Sequence, residues 1–322
     1  MVEMDNCVVL DEAAKSSIGH GCVPVERNIA GRLAAGWLLI DKPAGPTSHQ
    51  VSAWARDLIG LDKLGHGGTL DPFATGVLAL MSGRTMRLTD RVLKSGKTYF
   101  AVLRISSDVD DESLAASIAE LQGEIMNVPP KQSAVKIRVR TRTLHEVNLH
   151  QREERYVVIS ISCAAGTYIR TWARDLGLLL DSPVELIELR RTQSGHFTED
   201  SAVNMQQLAD AVWLWKENDD PTALERVIRP VEELLEGIPR VFVKDGAAAA
   251  VCHGAPLLRP GVVAFDRGLS IGDEVQLLTL KGEAVALARM QVDANRLEDM
   301  KTGETAKSTA VLMEVDTYPR GW

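Results

Sequence analysis

The sequence predicts an α+β protein: a large domain in which strands and helices follow one another, then a small β-barrel. Two observations predict it. The chain has 322 residues, which suits one large domain and one small one better than a single average domain. Its texture also changes near Pro239. Before that point, strand-like runs alternate with amphipathic helical ones. After it, "RVFV", "DEVQLLTL", "EAVALARMQV" and "TAVLMEVD" are short strands divided by Gly and Pro, the pattern of a small barrel. The expected boundary lies at 236/237. Residues 1–35 lack a clear period and are read as an extended arm that packs on the C-terminal domain.

Element by element, "GWLLID" (36–41) is a short buried strand and "KPAGPTSHQ" turns the chain. Thr47 or Ser48 caps a helix with Val51, Trp54, Ala55 and Leu58 on one face and Gly60 just past its end. A glycine-rich loop around Asp71 follows, then a helical "TMRLTDRVLKSG". "KTYFAVLRIS" reads as a strand, and "DESLAASIAELQG" as a helix opened by acids and closed by Gly. "VKIRVRTRT" alternates, with Lys136, Arg138, Arg140 and Arg142 on one face and Ile137, Val139 and Thr141 on the other. "RYVVISISCAAG" and "VELIELRRTQSG" are strands. Between them "TYIRTWARDLGLLL" is a helix that opens directly after Gly166, and residues 202–236 form short acidic helices.

Hydrophobic content of 45% and charged content of 25% describe an ordinary globular protein. A net charge of −8 argues against a general nucleic-acid binder. The charge is uneven, however. Residues 63–97 carry six Lys/Arg against two acids, 131–156 carry seven against three, and 210–236 carry eight acids against three bases. A local field of this kind steers a ligand even on an acidic molecule, although any one run also reads as a solvated face. Cys7, Cys22, Cys163 and Cys252 show no C-x-x-C spacing, the first residues carry acids where a signal peptide needs a basic start, and no apolar run approaches a membrane span of about 18 residues. A cytoplasmic protein with reduced thiols, no metal site and no membrane contact is expected.

The stretch "GHGGTLDPFATGVLAL" (65–80) is neither a Walker A loop nor a G-x-G-x-x-G turn. Its glycines permit close backbone approach, and Pro72 restricts Asp71 to extended geometry. Together they hold a carboxylate on a stiff, bare loop, which suits a nucleophile or base. From local sequence alone, an Asp cap on a following helix is the stronger reading. Arg170 and Arg174 lie four apart on one helix face. A guanidinium near a carboxylate favours its charged form, while the alternative is a surface pair worth little. Tyr99 and Tyr168 could stack on a base or sit in the core. The basic face of "VKIRVRTRT" could grip phosphates or protect a sheet edge. His66 could bond a substrate or the loop backbone.

"GWLLIDKPAGPTSHQVSAW", "GHGGTLDPFATGVL", "SGKTYFA", "AAGTYIRTWARDLG" and "ELRRTQSGHF", in this order over residues 36–200, resemble the TruB family of pseudouridine synthases. "PPKQSAVKIRVRTRTLHEV", the acidic "DAVWLWKENDD" and "PRVFVKDGAAAAVCHGAPLLRPGVV" resemble its archaeal dyskerin-like branch, the catalytic subunit of box H/ACA ribonucleoproteins. The resemblance implies a central mixed, mainly antiparallel sheet flanked by helices over 36–236 and an RNA-binding PUA barrel over 237–322. It implies isomerisation of uridine to pseudouridine in rRNA or tRNA, with no cofactor or metal. Asp71 falls on the family's catalytic aspartate, Tyr99 on the tyrosine that packs on the target base, and Arg170 on the arginine that pairs the aspartate. Tyr168, Leu189 and His66 fall on residues around the pocket, and the basic strand with Lys131, Lys136, Arg138 and Arg140 falls on the RNA-gripping thumb. The implied partners are target and guide RNA, a small zinc-binding protein, a Gar-type protein and a kink-turn binder. A stand-alone tRNA T-loop synthase and a non-catalytic RNA-binding scaffold are the alternatives.

Overall fold

The computed structural model describes residues 4, 6–129 and 138–319. The chain divides into two compact units: Met1–Trp37 with Met81–Leu88 and Leu214–Trp322, and Leu38–Leu80 with Thr89–Trp213.

The first unit is built on a seven-stranded sheet in the order Cys7–Val9, Val262–Asp266, Arg240–Val243, Glu274–Thr279, Ala284–Met290, Glu304–Val311, Leu257–Leu258. Phe265, Leu277, Ala286 and Met290 fill its core together with Ala248 and Val251 of the helix Asp245–Cys252. The first strand pairs antiparallel with Val262–Asp266, Cys7 opposite Asp266. Further along, Lys244 pairs with Asp11 at 2.6 Å. The buried Glu283 carboxylate accepts hydrogen bonds from the Cys22 N–H (3.0 Å), the Thr279 hydroxyl (3.0 Å) and the Tyr318 hydroxyl. A buried carboxylate without such donors would be costly. All four cysteines are free.

The second unit is built on a sheet that includes, in order, most of Gly36–Lys42 and of Thr75–Ser82, then Val184–Ser194, Lys97–Ile105, Tyr156–Cys163, Arg140–Glu153 and Gly123–Asn127. Thr75–Ser82 runs parallel to Val184–Ser194, and the pairs from Val184–Ser194 onward are antiparallel. "YVVISISC" shows why: Val157, Ile159, Ile161 and Cys163 point into one core and the residues between them do not. The helix Ile169–Leu179 buries Ile169, Trp172, Ala173 and Leu176 against that core, and Leu121 O accepts the Trp172 indole N–H.

Two expectations change. The run after Asp71 is a strand, Thr75–Ser82, buried from Gly76 to Ser82, so there is no helix there for Asp71 to cap. The helix Ser48–Ile59 is capped by Thr47 in a capping box with Gln50, and Gly60 closes it at φ 90°. Its buried side, however, is Ser48, Val51, Ser52, Ala55 and Ile59, leaving Trp54 49% exposed.

Gly76 has φ +97°, and a Cβ there would lie 2.2 Å from the carbonyl oxygen of Arg191, its partner in the parallel pair. Both strain and clash forbid a side chain. Gly76→Ala is expected to destabilise the fold by about 3 kcal/mol or more, read as a lowered denaturant midpoint. A midpoint near wild type would mean that the strands separate freely at this pair.

Among the described residues no helix is long and apolar enough to cross a membrane, and no group of three or more His, Cys, Asp and Glu could hold a metal ion.

Candidate active site

Asp71 and Arg170 meet. Nη2 of Arg170 donates to Oδ1 of Asp71 at 2.8 Å, with both side chains a little under one-third exposed. Ninety-nine residues separate them, and the fold closes the gap from two sides.

The Asp71 loop is fixed by side chains outside it. Lys42, wholly buried at the end of its strand, donates from Nζ to the carbonyls of Pro43 (2.8 Å), Pro72 (3.1 Å) and Ala74 (2.8 Å). Pro72 O also accepts the Gly45 N–H at 2.8 Å. The Ser48 hydroxyl accepts the Leu70 N–H (2.8 Å) and donates to Leu70 O (3.2 Å). Arg191 donates from Nη2 to Gly68 O (3.1 Å) and from Nε to Val77 O (2.7 Å). Residues on both sides of Asp71 are thus anchored through their backbone, and its carboxylate is left to face Arg170.

Arg170 is placed by the start of its helix. Tyr168 is the N-cap residue and makes no side-chain cap. The buried Asn127 does that work from the next element: its Oδ1 accepts the Tyr168 N–H (2.9 Å) and its Nδ2 donates to Tyr168 O (3.3 Å). One turn in, the Thr171 hydroxyl donates to Val128 O at 2.7 Å.

Tyr99 lies in the strand Lys97–Ile105, opposite Arg191 in the neighbouring strand, and packs on the same core cluster as Leu70, Ala74 and Leu189. Burial raises its phenol pKa, while the positive charge of Arg191 pulls the other way. Asp71's charge reaches both Tyr99 and Lys42. Lys97 is buried and donates to Val92 O, Leu93 O and Ser95 O, closing the turn before its strand; burial pushes its pKa down to about 8. His66 sits edge-on to His49 at 4.7 Å between ring centres, and its Nδ1 is buried with no hydrogen-bond partner among the described residues. Its pKa is lowered by burial, then by His49 and Arg191. A carboxylate held by an arginine, partly shielded from solvent and next to an apolar core cluster, can act as a nucleophile or base on a group brought against it.

A relative from Methanopyrus kandleri, "Probable tRNA pseudouridine synthase B", is 41% identical over 303 residues, 94% of this chain and 90% of that protein. The chain belongs to the TruB family of pseudouridine synthases. It is thereby one of the isomerases that act on uridines in RNA. TruB family pseudouridylate synthase (N terminal domain) matches residues 56–169 and tRNA pseudouridylate synthase B C-terminal domain matches 170–236. A PUA domain matches 239–312 and a DKCLD (NUC011) domain matches 2–52. The α+β fold with a PUA barrel is the one this TruB sequence predicts. Two solved structures are similar along their whole length. One is an H/ACA RNP bound to a substrate RNA containing 2'-deoxyuridine (TM-score 0.88, 35% identity, 98% of this chain and 97% of that one). The other is a Cbf5-Nop10-Gar1 complex (TM-score 0.86, 36% identity, 99% and 97%).

Of the residues singled out in the TruB motifs, the fold joins Asp71 to Arg170 and sets Tyr99 and Leu189 on one core. Tyr168 adjoins Arg170 in the chain, and His66 is tied to the cluster through the charge of Arg191. Arg138 and Arg140 are exposed, with Arg140 opposite Asn127 in the sheet register. Lys131 and Lys136 lie outside the described residues. Sequence reasoning missed Lys42, Ser48, Asn127 and Arg191. The available signal was a Lys closing an apolar strand and a second Arg in an otherwise strand-like run.

Proposed function

We propose that this chain is the catalytic subunit of a box H/ACA ribonucleoprotein and isomerises uridines of rRNA or tRNA selected by a guide RNA. The observation that carries the reading is likeness along the whole chain, arm and PUA domain included, to the H/ACA RNP and Cbf5-Nop10-Gar1 structures. Residues 36–236 are the catalytic domain, 237–322 the PUA domain that binds RNA, and 1–35 an arm on the latter. The partners are guide and target RNA, a small zinc-binding protein of the Nop10 kind, a Gar-type protein and a kink-turn binder, in the cytoplasm.

The chemistry follows from the pocket. The C1′–N1 bond breaks, the uracil turns, and C1′ joins C5; the C5 proton leaves and N1 gains one. The step is redox-neutral and needs no cofactor. The target base leaves its stack, at about a few kcal/mol unless it is already unpaired. Tyr99 replaces that stacking, Leu189 and Tyr168 wall the pocket, and His66 stands beside it. Asp71 is the reactive carboxylate and Arg170 aims it. Lys131, Lys136, Arg138 and Arg140 grip the RNA backbone.

Arg138→Ala with Arg140→Ala is expected to weaken RNA binding and flatten its salt dependence by about one to two phosphate contacts. An unchanged slope would return that segment to a solvated face. The test of the function is tritium release from C5 of uridine. Release from a bare tRNA transcript by the protein alone supports the stand-alone T-loop reading, a tRNA activity being what the name of the Methanopyrus relative gives. Release only with guide RNA and the partner proteins supports the guided reading. No release in either condition overturns both and leaves a scaffold.

A further inference from the structure

Three cations are buried around the Asp71 pocket: Lys42, Lys97 and Arg191. The two lysines are explained by backbone clamping, since each ammonium donates to three carbonyls. Arg191 is not. It is 2% exposed, and its Nε and Nη2 bond two carbonyls. Among the described residues no carboxylate pairs with it. A buried, unpaired guanidinium is costly, and a neutral amide would serve such carbonyls without that cost. Tyr99 stands opposite it across the strand pair, and the Arg191 charge bears on the Tyr99 phenol.

We propose that Arg191 is a positioning residue for the reaction, holding Tyr99 against the target uracil and stabilising the negative charge that enters that ring. This rests on the uridine-isomerising reading above. When the C1′–N1 bond breaks, its electron pair goes to the uracil, and the ring carries that charge over N1, O2 and O4 until C5 bonds C1′. Attack on the ring instead also moves electrons onto it, so the demand for a fixed positive charge is the same. A cation set in a dry wall before the reaction begins meets that demand without reorganising. The charge of Arg191 also reaches His66, Lys42 and Lys97, and that of Asp71 reaches Lys42 and Tyr99.

The test compares two substrates and two variants of the full chain, in whichever assembly the wild type turns over. One substrate RNA carries uridine at the target, the other 5-fluorouridine, whose ring accepts negative charge more readily. Single-turnover loss of the N-linked target nucleoside is followed by chromatography; with 5-fluorouridine the carbon-linked product keeps its fluorine at C5 and takes up water across N1 and C6, because no C5 proton is there to leave. Arg191→Gln keeps donors for the carbonyls and removes the charge. It is expected to lose about 100-fold on uridine and about tenfold or less on 5-fluorouridine. Arg191→Lys keeps the charge and is expected to stay within about tenfold of wild type on both. Equal losses on the two substrates for Gln would make Arg191 a structural residue and overturn the proposal. Should Gln fail to fold, Lys decides: a loss within tenfold supports the charge role, and a larger loss overturns it. Inactive wild type would instead refute the synthase reading itself.

Discussion

Asp71→Asn is expected to reduce tritium release from C5 by on the order of 10⁴-fold or more, while RNA affinity stays within about threefold. The substitution is isosteric. It keeps an oxygen for the Arg170 Nη2 donor and leaves the clamps on Gly68, Leu70, Pro72 and Ala74 untouched, because those run to backbone atoms. Only the charge and nucleophilicity of one carboxyl change. Parallel filter-binding and single-turnover assays separate the two effects. Activity above about one per cent of wild type would remove Asp71 from the chemistry.

Arg170→Met is expected to lower the single-turnover rate by about 10²- to 10³-fold with RNA affinity changed less than about tenfold. The pair is charge-assisted and shielded from most solvent, but not dry: 28% and 31% of the two side chains remain accessible. Its contribution to folding is accordingly small, about 1 kcal/mol or less. The variant should therefore unfold near the wild-type midpoint while its chemistry collapses. Arg170→Lys should recover part of the rate, since a compact ammonium supplies charge without the planar fork. A midpoint that falls in step with activity would make Arg170 a structural residue.

Much of this site is legible in the sequence as motif. Asp71, Tyr99 and Arg170 stand at the positions the family resemblance gives them, and the strands and helices carrying them follow from period and capping. Local reading misled where partners are distant. "FATGVLAL" is a short apolar run that periodicity cannot assign to helix or strand, and the helix-cap reading of Asp71 depended on that choice. The helix after Thr47 buries Ser48 and Ser52 rather than Trp54, because the serine hydroxyls bond the carbonyls of Leu70 and Leu64. Hydropathy ranks tryptophan inward and cannot know that a carbonyl waits for a hydroxyl. Lys42, Asn127 and Arg191 were hidden for the same reason: each is polar, buried, and bonded mainly to backbone that arrives from far along the chain.

The clamping of the Asp71 loop bears on how substrate recognition is divided between affinity and rate. Segments that order on contact with a ligand subtract their lost conformational entropy from its binding, on the order of 1 kcal/mol or more per residue. Here the loop from Gly68 to Ala74 is ordered when the chain folds, by Lys42, Ser48 and Arg191. RNA then meets a carboxylate already in position. Loosening a clamp would leave the contact surface intact yet make each bound RNA wait for a rare aligned state. Variants of Lys42 and Ser48 would act as slow enzymes with near-normal grip, and equilibrium binding alone would pass them as healthy.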